Sequence, residues 1–364
     1  MKILYIQEFG DTNGGVQKLI TQLAMAMATK GHDVTILSHR QDDYHYAELL
    51  RQGGVKFVNL NMRHRFSPWK ALKYITLIRS QHYDIVHTNH SIPQAWSLVV
   101  SKFCPRSVGW ITTEHATNSI RRKFNWFRFF DRQIYRCYHR VVSVSLTVQS
   151  SLLSWTGDTP GNRYVVVRNG IDTKTLAHAN PIPRTDLSLH KDDIVVCSIG
   201  RLSPEKDFST FIRAFCFLPQ QYKGIIVGDG ELKGSLQEEI SRLQLSDRIQ
   251  MTGTRKDIGS ILKASDIYVS TSTSEGFGLT VIEASACGIP VIASRIPAFE
   301  ELLGPAQLFP PSDSRALAEI IQHADSIPRP DDKFICQFSI QTMTDNYLQI
   351  YNQIKKQIDA TCGQ

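Results

Sequence analysis

Two glutamates, Glu275 and Glu283, bracket a Gly-Phe-Gly turn in SEGFGLTVIEASACGIPVI (residues 274–292), and two cations, Arg201 and Lys206, flank Pro204 in GRLSPEKDF. Paired carboxylates serve either as acid and base or as two hydroxyl-binding posts. If residues 276–278 make the turn and a helix begins near Leu279, Glu275 lies in the loop and Glu283 about a turn inside the helix. That placement suits neither a glycosidase pair flanking one bond across roughly 5–10 Å nor a dyad sharing a proton. It suits a long ligand held at two points. The amides of Gly278 and Leu279 would take a diphosphate at the helix N-terminus, with Glu275 on sugar hydroxyls at one side and Glu283 on ribose hydroxyls at the other.

Arg201 and Lys206 extend the same idea. An arginine fork and a lysine point charge at a strand's end can bind a diphosphate and neutralise the charge that builds on it as it departs; as surface residues of a solvated loop they would do nothing of the kind. VGDGE (residues 227–231) places Gly228 in another glycine-bounded turn after a strand. In GDTNGGVQK, Gly14 and Gly15 either let backbone N–H groups approach an anion or form a plain tight turn.

The elements that must hold these residues are short β-branched runs alternating with stretches of helical period, the pattern of β-α units around parallel sheets. KILYIQ, DVTIL, VKFVNL, DIVHT, VGWITT and RVVSVS read as strands of a first sheet, and VQKLITQLAMAMATK and SPWKALKYITLIRSQ as amphipathic helices between them. HANPIPRTDLSLHKDD, near 178–193, reads as a linker. DIVVCSIG, GIIVGDG, RIQMTG, DIYVST and PVIAS then form a second series. Domains are therefore expected at 1–180 and 193–340, with a helix over 341–364 packing back toward the first. Ligands of such sheets bind beyond the carboxyl ends of the strands, where all the glycines and cations above fall. No G-x-G-x-x-G follows either first strand, which argues against a conventional dehydrogenase.

Composition narrows the class further. At 364 residues, 42% hydrophobic and 21% charged, the chain is long enough for two cores and reads as globular. No run approaches the roughly 18 apolar residues of a spanning helix, and MKILYI gives way at once to Gln7, Glu8 and Asp11, unlike a signal peptide. Seven cysteines, odd in number and without a C-x-x-C pair, fit a reducing cytoplasmic setting. The net charge of +7 divides unevenly, +12 over residues 1–180 and −5 over 181–364, so the two halves are expected to face different partners.

The block EGFGLTVIEASACGIPVI resembles the signature of retaining nucleotide-sugar glycosyltransferases of the GT-B type, glycosyltransferase family 4. The resemblance runs through Gly14-Gly15, DIVHTN, the TEHA segment with His115, RVVSVS, RNGID (168–172), GRLSPEK and VGDGE in the family's order. It implies an α/β fold of two Rossmann-like doubly wound domains facing across a cleft. It further implies that Glu275 binds the donor sugar and Glu283 its ribose. Arg201 and Lys206 would bind the diphosphate, Gly15 the phosphate from the first domain, and Gly14, Gly228 and the turn Phe277-Gly278-Leu279 would line the donor site. His115 would lie near the transferred sugar and Arg255, in TGTRKDI, near the base. Ser285 stands where many relatives carry Met. The family reaction retains anomeric configuration, the leaving diphosphate helping to deprotonate the acceptor, so neither a general base nor a metal is demanded.

Two stretches bear on partners. His82, His87 and His90 invite a zinc reading, but no carboxylate or cysteine completes the set. Residues 121–140, RRKFNWFRFFDRQIYRCYHR, hold seven Lys/Arg, one acid and seven aromatics, the composition of a segment lying on an anionic membrane. Phe127, Phe130, Ile134 and Tyr138 are expected to form its packed face, leaving Trp126 and Phe129 off it. Single-strand nucleic-acid binding uses similar residues but leaves the second half unexplained. The expected activity is a hexosyltransfer, UDP-sugar favoured, to a lipid-linked or saccharide hydroxyl at the cytoplasmic membrane face. The rivals are an epimerase or phosphorylase on the same fold and a non-catalytic sugar-nucleotide or nucleic-acid binder.

Overall fold

The computed structural model describes residues 1–7, 15–38, 47–60, 69–117 and 120–362. Gly14 lies outside them, as does the side chain of Lys123. Two compact units emerge, Met1–Gly170 with Ile340–Gln364, and Ile171–Ser339.

The first unit carries strands β1 (Lys2–Ile6), β2 (Asp33–Ser38), β3 (Lys56–Asn59), β4 (Ile85–Asn89), β5 (Gly109–Glu114), β6 (Arg140–Ser143) and β7 (Tyr164–Val166), all parallel in the order β3-β2-β1-β4-β5-β6-β7. A parallel sheet is covered on both faces, which is why β1 reads KILYI with hardly a polar residue. On one face the helix Gly15–Thr29 and the last helix, Ile340–Cys362, bring Leu19, Leu23, Met343, Tyr347 and Ile354 onto Ile3, Tyr5, Ile85 and Ile111. On the other, Ala71, Tyr74 and Ile78 of the helix Trp69–Gln81, with Val100 and Ile134, cover Leu4, Ile6 and Val86.

The second unit has strands β8 (Ile194–Ile199), β9 (Tyr222–Val227), β10 (Ile249–Gly253), β11 (Ile267–Ser270), β12 (Val291–Ser294) and β13 (Leu308–Phe309), in the parallel order β10-β9-β8-β11-β12-β13. Both sheets reverse direction beside their first strand, between β1 and β4 and between β8 and β11. That crevice is where doubly wound sheets bind ligands.

The chain passes between units at Gly170–Ile171, ahead of the proline-rich stretch. Ile171 already pairs with Ser339, and the stretch itself is anchored to the second unit. Arg184 forks onto Asp266 at 2.8 and 2.9 Å, and Asp266 in turn accepts from the amide of Val195 at 2.7 Å. Two prolines there mark an ordered crossing of the sheet's amino end. β7 and β13, three and two residues long, escaped the sequence reading, β7 although YVVV is a β-branched run. No helix among the described residues is long and apolar enough to cross a membrane.

Candidate functional site

At the carboxyl edge of the second sheet, the loops after β8 and β11 meet through an ion pair. Lys206 donates to Oε1 of Glu275, which also accepts from Ser272 Oγ at 2.9 Å. Around it the two loops are sewn together: Thr271 Oγ1 donates to the Lys206 carbonyl at 2.8 Å, the Thr273 amide donates to the Glu205 carbonyl at 2.8 Å, and Ser294 Oγ donates to the Ser272 carbonyl. The residues 201–206 and 271–275 thus form one edge.

Glycines permit the close approach. Gly228, at φ +143°, lies against Gly200 so tightly that a Cβ would fall 1.9 Å from the Gly200 carbonyl oxygen. The amide of Gly228 donates to Gly253 at 2.9 Å and that of Leu202 to Asp229 at 3.0 Å, joining the loops after β8, β9 and β10. Gly278, at φ +99°, precedes the helix Leu279–Ala286 and abuts Phe299, 2.7 Å from where a Cβ would stand. No side chain caps this helix, so its positive end faces the edge where an anion would be stabilised. The hydroxyl of Tyr268, on β11, donates to Thr280 Oγ1 at 2.7 Å and fixes the helix start to the sheet. Burial, with Glu275 and Glu283 nearby, raises that phenol well above its usual range. Glu283 is buried on the helix, about one turn from its start.

Two residues expected to contact a donor are otherwise engaged. The ring of Phe277 is buried 5.9 Å from that of Phe338, leaving its backbone as what it offers at this edge. Arg255 forks onto Asp257 at 2.9 and 2.6 Å, so binding a base would require exchange of that partner. Arg201 is exposed at the edge.

In the first unit, Gly15 opens the helix Gly15–Thr29 beyond β1. His115 follows β5, its Nε2 3.2 Å from Asn89 Oδ1 and its ring 6.5 Å from that of His90. Burial, then the neighbouring His90 and His87, push its imidazole down to about 3, so it is neutral near pH 7. His90 adopts φ +75° at the carboxyl end of β4, a backbone cost that sites at strand ends often carry. His87 is no ligand of a metal here: its Nδ1 and Nε2 are taken by Tyr351 and Thr113, each at 2.8 Å. Among the described residues no three His, Cys, Asp or Glu side chains converge.

The basic segment needs correction. Arg121 pairs with Asp131 at 3.2 Å and donates to Gln94 at 2.8 Å. Arg122, only 7% exposed, pairs with Glu114 at 3.4 Å and donates to Thr117. Both are structural cations, unable to lie on lipid phosphates. The inward face of the helix Phe127–Arg136 is Asp131, Ile134 and Tyr135, rotated from the expected stripe because Asp131 is drawn in by Arg121 and by Trp155 Nε1 at 2.9 Å. Tyr138 is buried beyond the helix, whereas Phe130 turns outward with Phe124, Phe129 (65% exposed) and Trp126 (62%). Trp126 stacks on Phe127 at 3.8 Å and meets Phe130 edge-on, making one aromatic patch.

Ser272, which braces Glu275 of the Lys206–Glu275 pair, escaped the sequence reading, although the run of hydroxyl residues in STSTSEG was its signal.

Residues 182–335 match the family described as glycosyl transferases group 1, and residues 13–175 match Glycosyltransferase Family 4. The UDP-Gal:alpha-D-GlcNAc-diphosphoundecaprenol alpha-1,3-galactosyltransferase of Escherichia coli is 28% identical over 60% of this chain and 60% of its own length. The phosphatidyl-myo-inositol mannosyltransferase of Mycobacterium leprae is 26% identical over 85% of this chain and 83% of its own. The Anabaena protein HepE, solved in complex with UDP and glucose, shares the fold with a TM-score of 0.76 at 22% identity, covering 100% of this chain and 99% of its own. With both units matched over most of their length, the chain belongs to the GT-B glycosyltransferases, family 4.

Proposed function

We propose that the protein transfers a hexosyl group from a UDP-sugar to a hydroxyl of a lipid-linked or saccharide acceptor, with retention of anomeric configuration, at the cytoplasmic face of a membrane. The observation that carries this reading is the Lys206–Glu275 pair at the β8/β11 crevice, beside the uncapped N-terminus of the helix Leu279–Ala286. A diphosphate there meets Lys206, Arg201 and the helix dipole, which together stabilise the charge that grows as the bond from sugar carbon to phosphate oxygen breaks. Glu275, fixed by Lys206 and Ser272, accepts from sugar hydroxyls, and Glu283 from those of ribose.

On the same face of the sugar, the acceptor oxygen bonds to the anomeric carbon while its proton passes to the departing phosphate oxygen. The chain then supplies charge and position rather than a base. Arg201 and Lys206 provide the positive charge that a divalent ion would otherwise bring, so no metal is required. The uridine preference is supported by UDP in the names of the E. coli and Anabaena relatives. The lipid-linked acceptor is supported by the undecaprenol and phosphatidyl-inositol substrates named for the E. coli and M. leprae enzymes. Membrane association rests on the patch of Phe124, Trp126, Phe129 and Phe130 with the exposed Arg128 and Arg136 beside it.

Hydrolysis or transfer from a panel of nucleoside-diphosphate sugars, with and without EDTA, tests the reading. Activity lost in Glu275→Ala and in Lys206→Ala supports it, and full activity in both variants refutes the assigned site.

A further inference from the structure

The second sheet carries a cavity at the end opposite Lys206 and Glu275. It encloses about 280 Å³ where the amino ends of β9, β8, β11 and β12, four neighbours in the sheet, meet the end of the helix Ser314–Gln322. Its floor is aliphatic. Ile194 and Ile267 open β8 and β11, Pro290 precedes β12, and Ile321 is the last buried residue of the helix. Doubly wound sheets bind their substrates beyond the carboxyl ends of the strands, so this cavity is no part of the donor site.

Three charged side chains line it, in two different states. Asp266 is spent on Arg184 and on the amide of Val195. Asp325 and Arg329 are not: among the described residues neither side chain makes a hydrogen bond or an ion pair, with the other or with a third group. In a continuous helix residues four apart would meet. Here the helix ends at Gln322, the single 3-10 turn Ala324–Ser326 follows, and Arg329 stands in IPRP between two prolines that favour extended backbone. Both charges therefore reach the same rim and stay apart. The phenol of Tyr222, at the start of β9, stands near Asp325: burial, then that carboxylate, raise it above its usual range.

A single unpaired charge at a surface is ordinary. A free carboxylate, a free guanidinium and a phenol around one aliphatic cavity are complementary to a narrower class of molecule. An anion would use Arg329 and be repelled by Asp325, an amine the reverse, and a neutral alcohol would use neither charge. We infer that this cavity binds a small zwitterion with an aliphatic chain, the class of the aliphatic amino acids. Its ammonium pairs with Asp325 beside the Tyr222 oxygen, its carboxylate takes the fork of Arg329, and its chain lies on the isoleucine floor. The site stands apart from the transfer reading above and does not rest on it.

Thermal unfolding of the full chain with L-valine, L-isoleucine or L-leucine tests it. At least one of them is expected to raise the midpoint with concentration, as a ligand of the native state does. The amide of that amino acid lacks the carboxylate, its deaminated acid lacks the ammonium, and glycine lacks the chain. Each should bind at least about 10-fold more weakly, and comparison at equal concentration cancels general solute effects. Asp325→Asn and Arg329→Gln, both at exposed positions, should melt with the wild type when no ligand is added and lose the amino-acid shift. No shift with any of the three amino acids, an equal shift with the amide or the acid, or an undiminished shift in either variant overturns the site.

Discussion

Glu275 is held by Lys206 from the neighbouring strand end, with Ser272 on the same carboxylate oxygen at 2.9 Å. The pair is partly buried, its side chains 21% and 16% exposed, so it is neither a solvated surface contact nor a sealed one. A ligand diphosphate can reach the ammonium without dismantling the carboxylate's other bond. Lys206→Ala should lower kcat by about 10²–10³-fold, the range for removing one charge-stabilising donor. Lys206→Arg should not restore it, since a planar fork replaces a compact charge packed along Gly200. Ser272→Ala should cost about 10-fold, one hydrogen bond to a charged group. Steady-state kinetics on one UDP-sugar checks all three; equal losses in Ser272→Ala and Lys206→Ala would contradict this ranking.

The basic segment separates two kinds of residue that composition alone lumps together. Arg122→Ala should destabilise the fold by about 3–5 kcal/mol, because it leaves Glu114 short of its buried partner. Trp126→Ser with Phe129→Ser should leave stability within about 0.5 kcal/mol and abolish sedimentation with anionic liposomes. Urea denaturation beside liposome co-sedimentation decides it. Retained binding in the double variant would remove the aromatic patch from the membrane reading.

Much of the fold was legible because β-branched runs such as DIVVCSI can sit only in a covered parallel sheet, and the strand-end glycines had to follow them. The block around Glu275 was legible because its turn and helix are local. Legibility failed wherever a long-range pairing decided the outcome. Asp131 reads as a surface residue on its helix until Arg121 and Trp155 arrive, and Arg121 and Arg122 read as free cations until Asp131 and Glu114 do. The unit boundary was misplaced for the same reason, since Arg184 meets Asp266 across 82 residues.

Gly228→Ala is expected to be among the most damaging single changes in the second unit. Its φ of +143° is nearly closed to other residues, and the added carbon would lie 1.9 Å from a backbone oxygen that has nowhere to move. The loss should exceed about 3 kcal/mol, with UDP affinity falling as the loops after β8 and β9 part. Gly234→Ala is the control: nothing lies within 4 Å of its Cβ position, so in its helix it should be neutral or stabilising by up to about 1 kcal/mol. Isothermal titration of UDP and thermal melts of both variants provide the comparison.

Ser285 is buried in the helix Leu279–Ala286 with its hydroxyl unpaired. Ser285→Ala removes that hydroxyl and adds no volume, so stability should rise by about 1 kcal/mol while KM for the donor is unchanged. A fall in stability would mean that the hydroxyl is satisfied in solution.

The buried layer of Tyr5, His87 and Thr113 beneath the helix Ile340–Cys362 makes the fold sensitive to acid. Burial pushes the imidazole of His87 down to about 3, since both its nitrogens lie among Tyr5, Tyr347 and Tyr351 with no carboxylate to stabilise a cation. The unfolded chain titrates this group near its ordinary value of about 6.5. Below that pH the unfolded state takes up a proton that the native state refuses, so the contribution is complete above about 6.5 and is lost as the pH falls toward 3. The slope approaches about 1.4 kcal/mol per pH unit, or about 2 kcal/mol by pH 5. His115, pushed down to about 3 as well, adds a similar amount. His87→Gln keeps a polar side chain against Tyr351 and Thr113 but cannot titrate. It should therefore lose about 2 kcal/mol less than wild type between pH 7.5 and 5 in urea unfolding, whatever its stability at pH 7.5. Parallel pH profiles for the two proteins would show that His87 is protonated alike in the folded and unfolded chain, and that the tyrosine layer does not exclude its charge.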